Sequence, residues 1–179
     1  MNNTSELTNE AARLQALREH AIMDTLPEPV FDEIVRRAAA ICETPIALLS
    51  LVDERRQWFK ARVGFALPEL PIGMGFDSVA LGQPAPLIIP DATEDSRFSC
   101  DPLVLSELNI RFYAGVRLLT EEGLPVGVLS VMDYSPRKFS HGQLVALGEQ
   151  AQQAVLQLNL RRKLIGSTQT AAPSMVMVS

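Results

Sequence analysis

Two dense aliphatic runs, each folded back on a second run and set far apart in the chain, constrain this sequence more than any other feature. The first couples Ile46 to Asp53 with Gln57 to Val63 across the polar break Glu54-Arg55-Arg56. The second couples Phe112 to Leu119 with Val126 to Met132 across Thr120-Glu121-Glu122-Gly123. Branched and aromatic runs interrupted by turn formers predict antiparallel hairpins. In the first hairpin the leading strand is apolar on both faces and is predicted to be central. Its more alternating partner is placed nearer an edge.

Amphipathic helices bracket the hairpins. Leu14, Leu17 and Ala21 recur at helical spacing over about Thr8 to His20. After Leu26-Pro27-Glu28-Pro29, a wider stripe of Val30, Phe31, Ile34, Val35, Ala38, Ile41 and Cys42 predicts a second helix that ends near Glu43, before Pro45. Ser140 and Gln143 form a capping-box pair, and Leu144, Leu147, Ala151, Ala154, Val155 and Leu158 continue a last helix to about Leu164. Between the hairpins, Gly64 to Asn109 is rich in proline and glycine, with one convincing strand at Leu87 to Ile89. So long an irregular stretch inside a compact domain points to function. The element order predicts an α+β domain, one antiparallel sheet with helices against it. The expected layout is a flexible head at 1–7, a domain over 8–165 and a disordered tail at 166–179.

Composition narrows the chemistry. A formal charge of -5 and a pI near 5.1, with the basic groups Arg36/Arg37, Arg55/Arg56 and Arg161/Arg162/Lys163 scattered, argue against nucleic acid. No apolar run approaches the roughly 20 residues of a membrane span, and Met1 to Glu10 lacks the features of a secretory signal. A cytoplasmic, membrane-free protein is expected. Cys42 and Cys100 fit neither a zinc site nor a disulfide framework. Cys42 falls on the apolar stripe of the second helix, Cys100 in a loop beside Asp101. His20 and His141 are expected at the surface, which leaves little material for nucleophilic catalysis.

An ordered set of segments then resembles the GAF domain family, in its bacterial branch found beside histidine kinase or diguanylate cyclase outputs. The segments are Arg13-Leu14-Gln15-Ala16-Leu17 with Ile22-Met23-Asp24-Thr25; Phe31-Asp32-Glu33-Ile34; Ile46 to Asp53; Gln57-Trp58-Phe59-Lys60-Ala61; Ile89-Pro90-Asp91-Ala92 with Asp95-Ser96-Arg97-Phe98; Arg111 to Gly115; and Gly127 to Asp133. The resemblance implies a central antiparallel sheet of five to six strands. Terminal helices pack on one face, and pocket-forming loops lie on the other. It departs from bilin-binding relatives at Gly75-Phe76-Asp77-Ser78-Val79-Ala80-Leu81, where Asp77 stands at the position of the attaching Cys and Val79 at that of the His. A covalent bilin is therefore not expected, and no cofactor is named. The cyclic-nucleotide signature is not matched, because Phe31-Asp32-Glu33 lies on the wrong element.

Candidate ligand-binding residues follow from strand parity and from that resemblance. Ser50 and Ser130 interrupt apolar strands in phase with Leu48/Val52 and Val128/Met132, and each either bonds a neighbouring carbonyl or faces a ligand or buried water. Trp58 and Tyr113 offer an apolar body with a polar tip, suited to a ligand or to a core margin. Phe76, Asp77 and Ser78 stand where the family's pocket helix begins. Asp133, like Asp91, follows a strand and either caps a loop or meets the ligand. The expected function is a non-enzymatic sensory or regulatory module that binds a small molecule and signals through a homodimer or a partner protein. From the chain's length, no output domain of its own is expected. Its competitors are a free methionine sulfoxide reductase, which shares the fold and works through clustered cysteines, and a scaffold with no ligand.

Overall fold

The computed structural model describes residues 3–170. In chain order the elements are α1 (Asn3–Glu19), α2 (Pro29–Cys42), β1 (Ile46–Val52), β2 (Arg56–Val63), β3 (Glu69–Pro71), α3 (Asp77–Leu81), β4 (Leu87–Ile89), α4 (Pro102–Leu105), β5 (Phe112–Leu119), β6 (Pro125–Asp133) and α5 (His141–Thr170). The strands form one sheet in the order β3-β2-β1-β6-β5-β4, antiparallel throughout. The expected hairpins are β1–β2 and β5–β6, and β1 joins them by pairing with β6. β1 is buried along its whole length, as an apolar run covered on both faces must be. Each outermost strand has three residues and is bounded by prolines, Pro68 and Pro71 at one edge and Pro86 and Pro90 at the other. Short, proline-bounded edges offer few free amides to another chain.

Period-two alternation divides the interior. Ala47, Leu49, Leu51, Phe112, Ala114, Leu129 and Val131 face a helix layer in which α2 supplies Phe31 and Val35 and α5 supplies Leu147, Ala154 and Leu158. Leu48, Tyr113, Val128 and Met132 face the opposite way, toward Phe76, Phe98 and Leu103 of the middle region. One irregularity re-phases β2: Ser50 pairs with Phe59 and Leu49 with Ala61, so Lys60 has no partner on β1. Its buried ammonium donates to Thr25 Oγ1 (2.8 Å), Leu26 O (2.6 Å) and Glu28 Oε1 (2.8 Å). The linker between α1 and α2 is thereby fixed to the sheet.

The helix boundaries have local causes. Pro29 begins α2, and Glu43 ends it with φ 55°, its N–H returning to Ala39 and Ala40 carbonyls. The capping box closes reciprocally at 3.1 Å, Gln143 N–H to Ser140 Oγ and Ser140 N–H to Gln143 Oε1. α1 starts at Asn3, inside the expected head. α5 passes the predicted end at Leu164 and crosses Gly166, with the Ser167 and Thr168 hydroxyls bonding back to Lys163 O and Leu164 O at 2.8 and 2.9 Å. The rest of the expected tail lies outside the described residues. His20 corrects its surface expectation: it is buried, with Nδ1 2.7 Å from Ala16 O. Among the described residues no helix is long and apolar enough to cross a membrane.

Candidate functional site

The face of the sheet away from the long helices carries a buried polar cluster. Its floor comes from strand register. Ser50 and Ser130 lie one pair apart diagonally across β1 and β6, since Ser50 pairs with Val128 and Leu48 with Ser130. On β5, Gly115 is the partner of Ser130, and Tyr113 two residues earlier is on the same face. The Tyr113 ring lies along its own strand over Gly115; a Cβ there would come within 2.1 Å of the phenol oxygen. Glycine at 115 is what gives that ring its place. The roof is α3, whose first residue, Asp77, accepts a 2.7 Å hydrogen bond at Oδ1 from the Tyr113 hydroxyl.

The middle region is braced around this contact. Asp101 caps α4 by accepting from Leu103 N–H at 2.8 Å, and its other oxygen accepts from Gly75 N–H at 2.7 Å, just before α3. Gly75 has φ +74°, and a Cβ there would meet Leu103 Cδ1 at 2.8 Å, so the turn into α3 needs glycine. An aromatic column leads from the surface to the cluster. Phe76 stacks on Tyr113 (4.7 Å, 19°) and meets Phe98 (4.7 Å, 45°), and the Arg97 guanidinium carbon lies 5.2 Å from the Phe98 centroid.

Burial without a counter-cation dominates the electrostatics. Desolvation pushes the Asp77 carboxyl above the usual range, a rise that the Ser50, Tyr113 and Ser130 hydroxyls oppose. Tyr113 is raised well above an ordinary phenol, first by burial and then by the Asp77 charge. Ser50 Oγ donates to Val128 O at 3.2 Å, the carbonyl bond that its strand position allowed, while it also lies close enough to act on Asp77. Ser130 Oγ, fully buried, is close enough to affect Asp77 yet makes no hydrogen bond of regular geometry. The cluster thus presents an acid of raised pKa, three hydroxyls with spare bonding capacity and one aromatic face.

Five predicted site residues therefore meet here: Ser50, Phe76, Asp77, Tyr113 and Ser130. Ser78 is half-buried on α3 beside them. Trp58 does not belong to the cluster, because it packs with the helix-side core while its neighbour Phe59 faces the loops. Asp133 lies outside the cluster, at the end of β6, where it accepts from Ser135 N–H at 3.1 Å and pairs with Arg137 at 2.6 Å. Asp91 caps its loop through Thr93. Sequence reasoning missed Gly115, Phe98 and Asp101 as parts of the site. The Tyr-x-Gly spacing on one strand was the available signal for Gly115.

The cysteines are divided by the sheet. Cys42 is buried in the helix-side core, where burial pushes its thiol up to about 11, and Cys100 is exposed next to α4. Among the described residues no three or more His, Cys, Asp or Glu side chains converge to hold a metal ion.

The family model for the GAF domain matches residues 26–158. The chain belongs to the GAF family. A cyclic di-GMP phosphodiesterase of Pseudomonas aeruginosa is 38% identical over 129 residues, which are 72% of this chain and 22% of that protein. This GAF chain therefore spans about a fifth of that relative's length. Among solved structures, the GAF domain of an Acinetobacter phosphoenolpyruvate-protein phosphotransferase has a TM-score of 0.59 at 18% identity, covering 89% of this chain and 98% of that one. A free methionine-R-sulfoxide reductase of Neisseria meningitidis, solved with its substrate, has a TM-score of 0.61 at 19% identity, covering 87% and 93%. At these identities the two structures speak to the fold alone.

Proposed function

We propose that this GAF domain is a non-enzymatic sensory module. It takes a small polar ligand on the loop face, at Asp77, and passes the change through its terminal helices to a partner or a second copy. The observation that carries this reading is the buried Asp77–Tyr113–Ser50–Ser130 cluster. A fold selected for stability alone would not keep an uncompensated carboxyl and an unsatisfied hydroxyl beneath a helix. A ligand offering N–H or O–H donors would complete those bonds and stabilise α3 against the sheet. Ligand binding shifts the ensemble only by its differential affinity for the two states. By likeness to the P. aeruginosa protein, the output we assign is control of cyclic di-GMP turnover.

An exposed apolar stripe supports the helix route. Leu156, Leu160 and Leu164 line the outer face of α5, with Val30 near Leu160 and Leu164. A groove of about 430 Å³ runs between α2 and α5 over Val30, Phe31, Leu160 and Leu164. Packing of a second copy here would bury this surface.

One observation favours the scaffold reading. Phe76, Phe98, Ile89 and Tyr113 fill the space between sheet and α3, so the site is closed on the protein's own side chains. The thiol-enzyme reading has less support, since its two cysteines lie on opposite faces of the sheet.

The test is native mass spectrometry with an absorption spectrum on freshly purified protein, followed by a metabolite thermal-shift screen. A non-covalent adduct, or a melting shift lost in Tyr113→Phe and Asp77→Asn, supports the sensor. A protein that carries nothing and responds to nothing is a scaffold. Methionine sulfoxide reduction that disappears in the Cys42→Ser/Cys100→Ser variant would instead establish the enzyme.

A further inference from the structure

The basic trio Arg161-Arg162-Lys163 contains every lysine and arginine of α5. It begins three residues after Leu158, the last fully buried apolar residue of that helix, and well before Thr170, so the helix dipole does not explain its place. Together the three side chains reach the end of α1, the linker between α1 and α2, and the β5–β6 turn. Arg161 donates to Glu28 Oε1 at 2.5 Å and to Ala21 O at 3.3 Å, in the linker between α1 and α2. Arg162 bridges Glu19, at the end of α1, and Glu122, at 3.2 Å in the β5–β6 turn. Lys163 reaches Glu121 of the same turn at 3.3 Å. A cleft of about 570 Å³ lies among these groups. The helix exit is thus held by the tips of charged side chains where the rest of α5 is held by core packing.

The β5–β6 turn is also the far end of the two strands that carry Tyr113 and Ser130. We propose that this ion-pair clasp is the coupling device of the module. It transmits displacement of the β5–β6 hairpin to the exit of α5, so that a change at Asp77 alters the order of the helix beyond Leu158. This rests on the reading of α5 as the output element. Half-exposed ion pairs shift a local equilibrium by only about two- to fivefold each, which suits a contact that must open and close. It also makes the clasp sensitive to salt.

The experiment is hydrogen exchange of amides 159–168 in the full chain. It compares native protein, Arg162→Met, Glu122→Gln and the double variant, each with and without a site perturbation. Gly115→Ala displaces the Tyr113 phenol from Asp77, and Tyr113→Phe removes the same contact without added bulk should Gly115→Ala fail to fold. The clasp variants should speed exchange at 159–168 about two- to fivefold, non-additively in the pair, and ~0.5 M salt should do the same to the native protein. The site perturbation should speed exchange there when the clasp is intact and have no further effect when it is open. Equal transmission through intact and open clasps overturns the clasp while leaving the sensor reading in place. No transmission even with the clasp intact overturns both.

Discussion

Replacing Asp77 by Asn should make the protein more stable at neutral pH, although it alters the most buried acid of the site. The substitution is nearly isosteric. The amide oxygen keeps the acceptor that Tyr113 uses at 2.7 Å, and the amide N–H₂ gives Ser130 Oγ the donor it lacks. The sign follows from linkage. Below the unfolded-state pKa of an aspartate, about 3.9, both states are protonated and Asp77 costs nothing. As pH rises, the unfolded chain releases its proton while the buried acid, whose pKa is raised by desolvation, retains it, and stability falls. The loss is about 1.4 kcal/mol per pH unit until the native pKa is passed, after which it is constant. The amide of the Asp77→Asn variant has no proton to retain, so the gap between variant and parent opens at about pH 4 and widens toward the native pKa. For a domain of this size each kcal/mol moves the melting temperature by about 2–4 °C, so each pH unit adds about 3–6 °C to the difference. Urea denaturation at fixed ionic strength from about pH 4 to 8, with thermal melts in parallel, measures it. A variant less stable than the parent at neutral pH, or a gap that does not change with pH, would show that burial of Asp77 carries no such cost.

Gly115→Ala should destabilise by about 2–4 kcal/mol, from overpacking and the lost phenol–carboxyl bond, and Tyr113→Phe by about 1–3 kcal/mol, both read by urea titration. Lys60→Met should cost about 2–4 kcal/mol because Thr25 Oγ1, Leu26 O and Glu28 lose one shared donor, and proteolysis should then cut first in the linker between α1 and α2. With an aromatic disulfide reagent at about pH 8, Cys100 should react in the native state and Cys42, its thiol pushed up to about 11 by burial, only on unfolding.

The parts of the fold that sequence made legible are those written in periodicity. The two hairpins and α2 follow from residue spacing alone, and strand parity put Ser50 and Ser130 on one face. Resemblance, not periodicity, drew attention to Asp77, because a single Asp at the start of a five-residue helix leaves no pattern. The same parity argues against Asp133, three residues from Ser130 and so on the other phase. Trp58 needed the register of β2, which the unpaired Lys60 shifts in a way no alternation reveals. The burial of Lys60 and His20 was illegible because alternation does not record their partners: Lys60 meets Thr25, Leu26 O and Glu28 of a distant linker, and His20 turns back onto Ala16 O of its own helix. α3, β3 and α4 are too short to show a period and are fixed by caps and turns such as Asp101 and Gly75.

The loop face is organised around Asp77, a buried carboxyl whose pKa is raised by desolvation. The carboxyl ¹³C resonance of Asp77, followed by NMR across a pH titration, tests it most directly. Asp77 should ionise at higher pH than Asp91 and Asp95, since burial raises its pKa while Thr93 and Arg97 hold those two below the usual range. Ionisation of Asp77 together with them would contradict it.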